Sequence, residues 1–300
     1  MDMTQNKCCR HGASLRRRRR RRRKILRSII FSCSIIAVAV FVAVGSSMIR
    51  SGDGRTNKYD VEAGNNTYDN AVIENSKISE KNKIQNNQSM LDDIMNSTQY
   101  PKQLKDLALK NEEALEFVYD YPAEHVKEHT IDLTEEASMD SVPLFVQWDK
   151  RWGYEKYSGN FFAASGCGPT TLSMVVVYLT HNREASPIAV AKYSKEAGYS
   201  VDGSGSSWTL ISEGCMHYGV KAKAVALDES RMKAELDEGH PIVVNVGPGD
   251  FTDTGHFMVI TGYDDEGFSI NDPNSIEKSG KRWLFKNISS QIRAVWSMYV

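Results

Sequence analysis

Cys167, His256 and Asp272 are the residues of this 300-residue chain whose types and settings suit covalent chemistry. A cysteine reacts through its thiolate, and both a neighbouring base and the unpaired N–H groups at a helix start favour that anion. Cys167 stands in Ser165-Gly166-Cys167-Gly168-Pro169-Thr170-Thr171-Leu172, where Pro169 suits a first helical turn and Leu172, Val175, Val176 and Leu179 give an apolar stripe. Gly166 and Gly168 are expected to leave room for a substrate backbone beside the thiol. His256 opens the run Phe257-Met258-Val259-Ile260, and Asp272 closes the run Phe268-Ser269-Ile270-Asn271. Two antiparallel strands joined by Asp264-Asp265-Glu266-Gly267 would set the start of the first beside the end of the second, so His256 and Asp272 are expected side by side. A thiol at a helix start, an imidazole base and a carboxylate that orients the base make a nucleophilic site.

The elements that must position these residues follow from periodicity. Pro101 to Val118 has apolar residues at helical spacing and stops at Asp120-Tyr121-Pro122; it is expected to pack on the domain that follows. Pro143 to Gln147 reads as extended, and Gln147 to Gly153 as an aromatic, polar loop. Beyond the Cys167 helix, Ser186-Pro187 opens a helix to about Ala197, and Gly203 to Ser207 is a turn before a helix from Trp208 to Tyr218. Val220 to Ala226, Pro241 to Val246, Phe257 to Tyr263 and Phe268 to Asn271 read as strands, with a helix from Glu229 to about Glu238. Helices first and antiparallel strands after predict an α+β fold, N-terminal helices on an antiparallel sheet.

Charge is unevenly placed. Residues 1–50 carry 13 of the 37 Lys and Arg and one of the 38 acidic residues, leaving 24 basic against 37 acidic in the remainder, a net of −13. Arg16 to Arg23 is an unbroken arginine run, and the uncharged stretch from Ile29 to Ile49 directly follows its basic flank. About 20 apolar residues suffice to cross a bilayer, and basic residues stay on the cytoplasmic side. The expected organisation is a basic cytoplasmic tail (1–28), a transmembrane signal anchor (29–49), a disordered stalk rich in Asn, Ser and charge (50–98) and an extracellular domain (99–300) on a single-pass cell-membrane protein. A cleaved signal peptide ending near Ala43-Val44-Gly45 and a twin-arginine signal at Arg22-Arg23 are the alternatives. The basic run is assigned to membrane orientation, and no nucleic-acid partner is expected.

Five short motifs in order carry a resemblance: Gln147-x-Asp149-x-x-Trp152, Gly166-Cys167-Gly168-Pro169-Thr170, Gly239-His240-Pro241, Gly255-His256-Phe257 before Gly262-Tyr263, and Asn271-Asp272-Pro273. From about Tyr100 to the C-terminus the chain resembles the papain-like cysteine peptidase family numbered thirty-nine, named for bacteriocin-processing peptidases, in its single-domain, membrane-anchored branch. The resemblance implies a papain-like fold, Cys167 as nucleophile, His256 as the base that then protonates the leaving amine, and Asp272 as the group that fixes the imidazole tautomer. It also implies an oxyanion hole from the Cys167 N–H and a side-chain amide. In papain-like enzymes the oxyanion glutamine stands about six residues before the cysteine, where this chain has Phe161. Gln147 lies twenty residues before, an inserted loop from Tyr154 to Ala164 would account for the gap, and Asn160 is the alternative donor. Bacteriocin-processing enzymes are fused to a multi-span transporter and cut after a double glycine in the cytoplasm, so that substrate class does not carry over.

Other chemistries find less support. His125, His129, His181, His217 and His240 lack metal-ligand spacing, and Asp264 to Glu266 reads as a hairpin tip, so neither a metal nor a cofactor is expected. Gly203 to Ser207 lacks the spacing of a phosphate loop. Cys215 reads as an apolar helix position; a Cys167 to Cys215 disulfide, which would block the nucleophile, is the minority reading. The leading expectation is a monomeric extracytoplasmic cysteine peptidase or amidase acting on a peptide or protein through an acyl-enzyme. A catalytically silent binding module and an acyl transferase with the same triad are the alternatives.

Overall fold

The computed structural model describes residues 66–300, with side chains from Glu80 onward. The expected tail (1–28), the expected membrane anchor (29–49) and the first part of the expected stalk lie outside the described residues; among the described residues no helix is long and apolar enough to cross a membrane. The stalk expectation needs correcting where it can be seen. Residues 66–96 form a helix, α1 (Asn66–Asn96), instead of disordered chain. Its last turns carry Met90, Leu91 and Ile94 at helical spacing, and Ile94 is fully buried against the domain, so the folded part begins before Tyr100. These three apolar residues lie among Asn, Gln, Ser and charged neighbours, which hides them from a compositional reading.

The helix expected from Pro101 to Val118 is two. α2 (Lys102–Lys110) ends at Asn111, whose extended backbone (φ −136°, ψ 99°) breaks the helical path and whose Oδ1 accepts the Glu113 N–H at 3.0 Å; a 3₁₀ turn and a short helix, Leu115–Tyr119, follow. Leu104, Leu107, Leu115, Phe117 and Val118 of this segment join Ile94, Phe161 and Ala163 in one apolar cluster, with Phe117 stacked on Tyr154 at 4.2 Å.

α3 (Cys167–Thr180) is buried on every face from Gly168 to Val177, as its apolar composition requires, and ends where His181 adopts the left-handed conformation. α4 (Pro187–Glu196) starts as expected, Ser186 Oγ accepting the Ala189 N–H at 3.3 Å. The Trp208 to Tyr218 helix is shorter than expected: Thr209–Ser212, then a 3₁₀ turn from Gly214 to Tyr218. There, a Cβ on Gly214 would sit 3.0 Å from the Tyr199 ring.

The sheet comprises β1 (Lys221–Ala224), β2 (Ile242–Val246), β3 (His256–Asp264), β4 (Gly267–Asn271), β5 (Arg282–Trp283) and β6 (Ile292–Tyr299). All pairs are antiparallel, in the order β1-β6-β2-β3-β4-β5. Alternate residues serve opposite faces: Val243, Phe257, Val259 and Met298 pack with α3, while Ile242, Val244, Met258 and Ile260 pack with Met232 of α5 (Glu229–Asp237). The expected helix-on-antiparallel-sheet arrangement is therefore present. The sheet also holds β5 and β6, which the sequence reading did not identify; β6 is apolar on both faces and pairs with strands distant in the chain, so it lacks a local alternating signature.

Candidate active site

Cys167 is the first residue of α3, where N–H groups have no intrahelical acceptor, and its side chain is partly exposed. The flanking glycines have a different reason from the one expected. Gly166 and Gly168 are buried; a Cβ on Gly166 would lie 2.5 Å from the Phe162 ring and one on Gly168 2.5 Å from Ser206 Oγ. They admit neighbouring side chains beneath the helix start, not a substrate backbone. Cys167 and Cys215 are both free thiols, and burial pushes the Cys215 thiol up to about 11.

His256 begins β3 opposite Val246, the last residue of β2. Two buried hydrogen bonds hold its backbone neighbourhood: Asn245 Nδ2 donates to the His256 carbonyl at 3.2 Å, and Thr171 Oγ1 of α3 to the Phe257 carbonyl at 3.0 Å. The second bond ties the Cys167 helix directly to the His256 strand. The β3–β4 register pairs Val259 with Asn271 and, carried one step further, sets Asp272 across from Met258, diagonal to His256 on the same face. His256 Nε2 lies 2.7 Å from Asp272 Oδ1, with side-chain exposures of 7% and 1%. The expected hairpin geometry is present.

With Nε2 facing the carboxylate, Nδ1 is the ring nitrogen left for the thiol. Burial disfavours both charged forms. For His256 this is outweighed by the Asp272 carboxylate and the Cys167 sulfur, which raise its pKa; for Cys167 it is outweighed by the hydrogen bond and charge of His256, which lower its pKa. Each group thus favours the other's ion.

Gln147 is buried and held at two points: its backbone N–H donates to the Pro273 carbonyl and its Nε2 to the Ala163 carbonyl, both at 2.7 Å. The following turn is rigid, with Asp149 Oδ1 accepting the Arg151 N–H at 2.8 Å and buried Trp152 donating Nε1–H to the Val146 carbonyl at 2.8 Å. Because Nε2 faces a carbonyl, the amide orientation is determined, and its second N–H remains to donate. Asn160 Oδ1 accepts the Phe161 N–H at 2.7 Å.

Cys167, His256, Gln147 and Asn160 all line one open cleft of about 500 Å³, and Asp272 sits behind it. The cleft also takes in two stretches the sequence reading did not mark as functional: Gly249 to Gly255, just before His256, and α2 through Asn111. The first was findable by its adjacency to His256. The second carries no local signal, since it lies more than fifty residues before the cysteine. No group of His, Cys, Asp and Glu that could hold a metal ion occurs among the described residues.

Residues 139–300 match the model of the Peptidase_C39 like family. The chain belongs to that family. Among solved structures, the peptidase domain of Streptococcus ComA, a bi-functional ABC transporter involved in a quorum-sensing pathway, is 19% identical with a TM-score of 0.39, over 53% of this chain and 96% of that one. A putative C39-like peptidase from Bacillus anthracis is 16% identical with a TM-score of 0.34, over 53% of this chain and 95% of that one. No curated protein matches the chain. The family match starts at residue 139, so α1, α2 and the Leu115–Tyr119 helix lie outside it, while the apolar cluster they build reaches into it at Phe161 and Ala163.

Proposed function

We propose that this protein is a cysteine peptidase or amidase on a papain-like α+β scaffold, with Cys167 as nucleophile, His256 as acid and base and Asp272 as the residue that orients and charges the imidazole. The observation that carries the reading is the buried 2.7 Å contact between His256 Nε2 and Asp272 Oδ1, beside a thiol at a helix start. The thiolate attacks the carbonyl carbon of the peptide bond. The resulting oxyanion takes hydrogen bonds from the Cys167 N–H and the second N–H of Gln147, the better anchored of the two candidate amides. The C–N bond then breaks as the imidazolium gives its Nδ1 proton to the departing amine, leaving a thioester. The neutral imidazole takes a proton from water, whose oxygen attacks the thioester and releases the acid and the thiolate. Neither a metal nor a cofactor enters these steps.

The same proposal places the catalytic domain outside the cytoplasm on the anchor at 29–49, supported by the uncharged run and its basic N-terminal flank. The chemical test is labelling of the full chain with iodoacetamide near neutral pH, read at the Cys167 peptide. Labelling is expected to exceed that of an ordinary thiol by about ten-fold or more, since a thiol of pKa near 8.5 is mostly protonated at neutral pH. In His256→Ala it is expected to fall to the ordinary rate or below it, since burial then raises the Cys167 pKa unopposed by the imidazole. Equal rates in wild type and variant would refute the triad.

A further inference from the structure

We infer that the segment in front of the family-matched region completes the catalytic unit, with Asn111 and Glu113 as positioning residues for Asp272. The inference rests on the triad reading above.

Asp272 lies past the end of β4, in a turn closed by the Ser275 N–H donating to the Asp272 carbonyl at 3.2 Å. Its Oδ1 accepts from the Asn274 N–H at 2.8 Å as well as facing His256, so the position of Asn274 governs the carboxylate. Asn274 is held from the other end of the domain: Asn111 Nδ2 lies 2.9 Å from its carbonyl oxygen and 3.1 Å from its Oδ1. Glu113 grips the next three residues, its carboxylate accepting the Ser275 hydroxyl, the Ile276 N–H at 2.7 Å and the Glu277 N–H at 3.1 Å. Hydrogen bonds to an ionised carboxylate are about twice as strong as neutral ones, and three converge here. Asn111 and Glu113, both before residue 139, reach the turn across more than 160 residues of chain, and they act beside two contacts from within the matched region, Trp148 Nε1–H to the same Asn274 carbonyl at 3.2 Å and the Gln147 N–H to the Pro273 carbonyl.

The consequence is electrostatic. The Asp272 carboxylate raises the pKa of His256, and the imidazolium lowers that of Cys167. Loosening the turn lengthens the carboxylate–imidazole contact, so the thiolate forms at higher pH. Loss of fold stability by itself would leave that midpoint in place.

The test is the pH dependence of iodoacetamide labelling at the Cys167 peptide in the full chain, with thermal melting alongside. Glu113→Ala and Asn111→Ala are expected to raise the labelling midpoint by about one unit, and so to slow labelling about ten-fold at pH values below it. Glu113→Gln, which keeps an oxygen acceptor, is expected to fall between wild type and Glu113→Ala. Glu235→Gln, a destabilising change away from the cleft, is expected to leave the midpoint unmoved. If Glu113→Ala does not fold, Glu113→Gln and Asn111→Ala carry the test. A wild-type midpoint in the folded Glu113 and Asn111 variants overturns the positioning role alone. A wild-type midpoint at the ordinary thiol value overturns the active-site reading and this inference with it.

Discussion

The proposed chemistry turns on a pair of side chains that alter each other. Cys167 alone would be a partly buried thiol with a raised pKa, and His256 alone a buried imidazole kept neutral. Together, and backed by Asp272, each favours the charge that the other needs. The oxyanion donor can be separated from this pair by choice of reagent. Attack on an activated ester passes through an oxyanion, whereas displacement of iodide from iodoacetamide does not. Gln147→Ala is therefore expected to slow acylation of Cys167 by a p-nitrophenyl ester by about 10²–10³-fold, while leaving its alkylation rate within a factor of about two. Asn160→Ala is expected to change neither; the reverse pattern would make Asn160 the donor.

At the level of elements, the site is a meeting of one helix start with two strand ends. The Thr171 hydroxyl couples α3 to β3, and the β3–β4 register sets His256 against Asp272. The far edge of the sheet depends on another charged residue. Glu235 on α5 accepts from Lys223 Nζ of β1 at 2.9 Å and from Ser297 Oγ of β6 at 2.7 Å, and its Oε2 lies 3.2 Å from His240 Nδ1. These contacts, the Lys223 hydrogen bond foremost, hold its carboxyl down to about 2 against the ordinary 4.5, although burial works the other way. The folded pKa is below the unfolded one, so the stabilisation is complete above pH 4.5 and disappears as pH falls towards 2. With Lys223 mostly exposed, the contribution is expected to be about 1–2 kcal/mol. Glu235→Gln should lose that amount in denaturant titrations at pH 7, and the gap to wild type should narrow at pH 3.5. A gap independent of pH would count against the charge argument.

At the level of the whole molecule, the described residues join the family-matched region to an N-terminal helical segment that shares its core and its cleft. The proposed anchor adds a topology that can be tested on cells. Protease applied to intact cells producing the full chain is expected to release a soluble domain carrying Cys167, by cleavage between residues 50 and 66. Full protection, with cleavage only after lysis, would reverse the proposed orientation. Charge agrees with an external body, since the arginine run and the net negative remainder stand on opposite sides of the uncharged stretch.

What the sequence by itself determined is the local part of the argument. Gly-Cys-Gly-Pro before an apolar run marks a helix start, and two alternating runs around Asp264 to Gly267 mark a hairpin. Together they were enough to bring the start of one strand beside the end of the next, while the register shift between Ile260 and Gly262, which puts Asp272 across from Met258 and so on the His256 face, was left to the fold. Tertiary structure alone decided the rest. It alone showed that Gly166 and Gly168 make room for Phe162 and Ser206, that β6 enters the middle of the sheet, and that Asn111 and Glu113 reach the Asp272 turn. Apart from Gly166 against Phe162, four residues earlier, these depend on contacts between residues far apart in the chain, and such contacts leave no periodicity or spacing in the sequence around either partner.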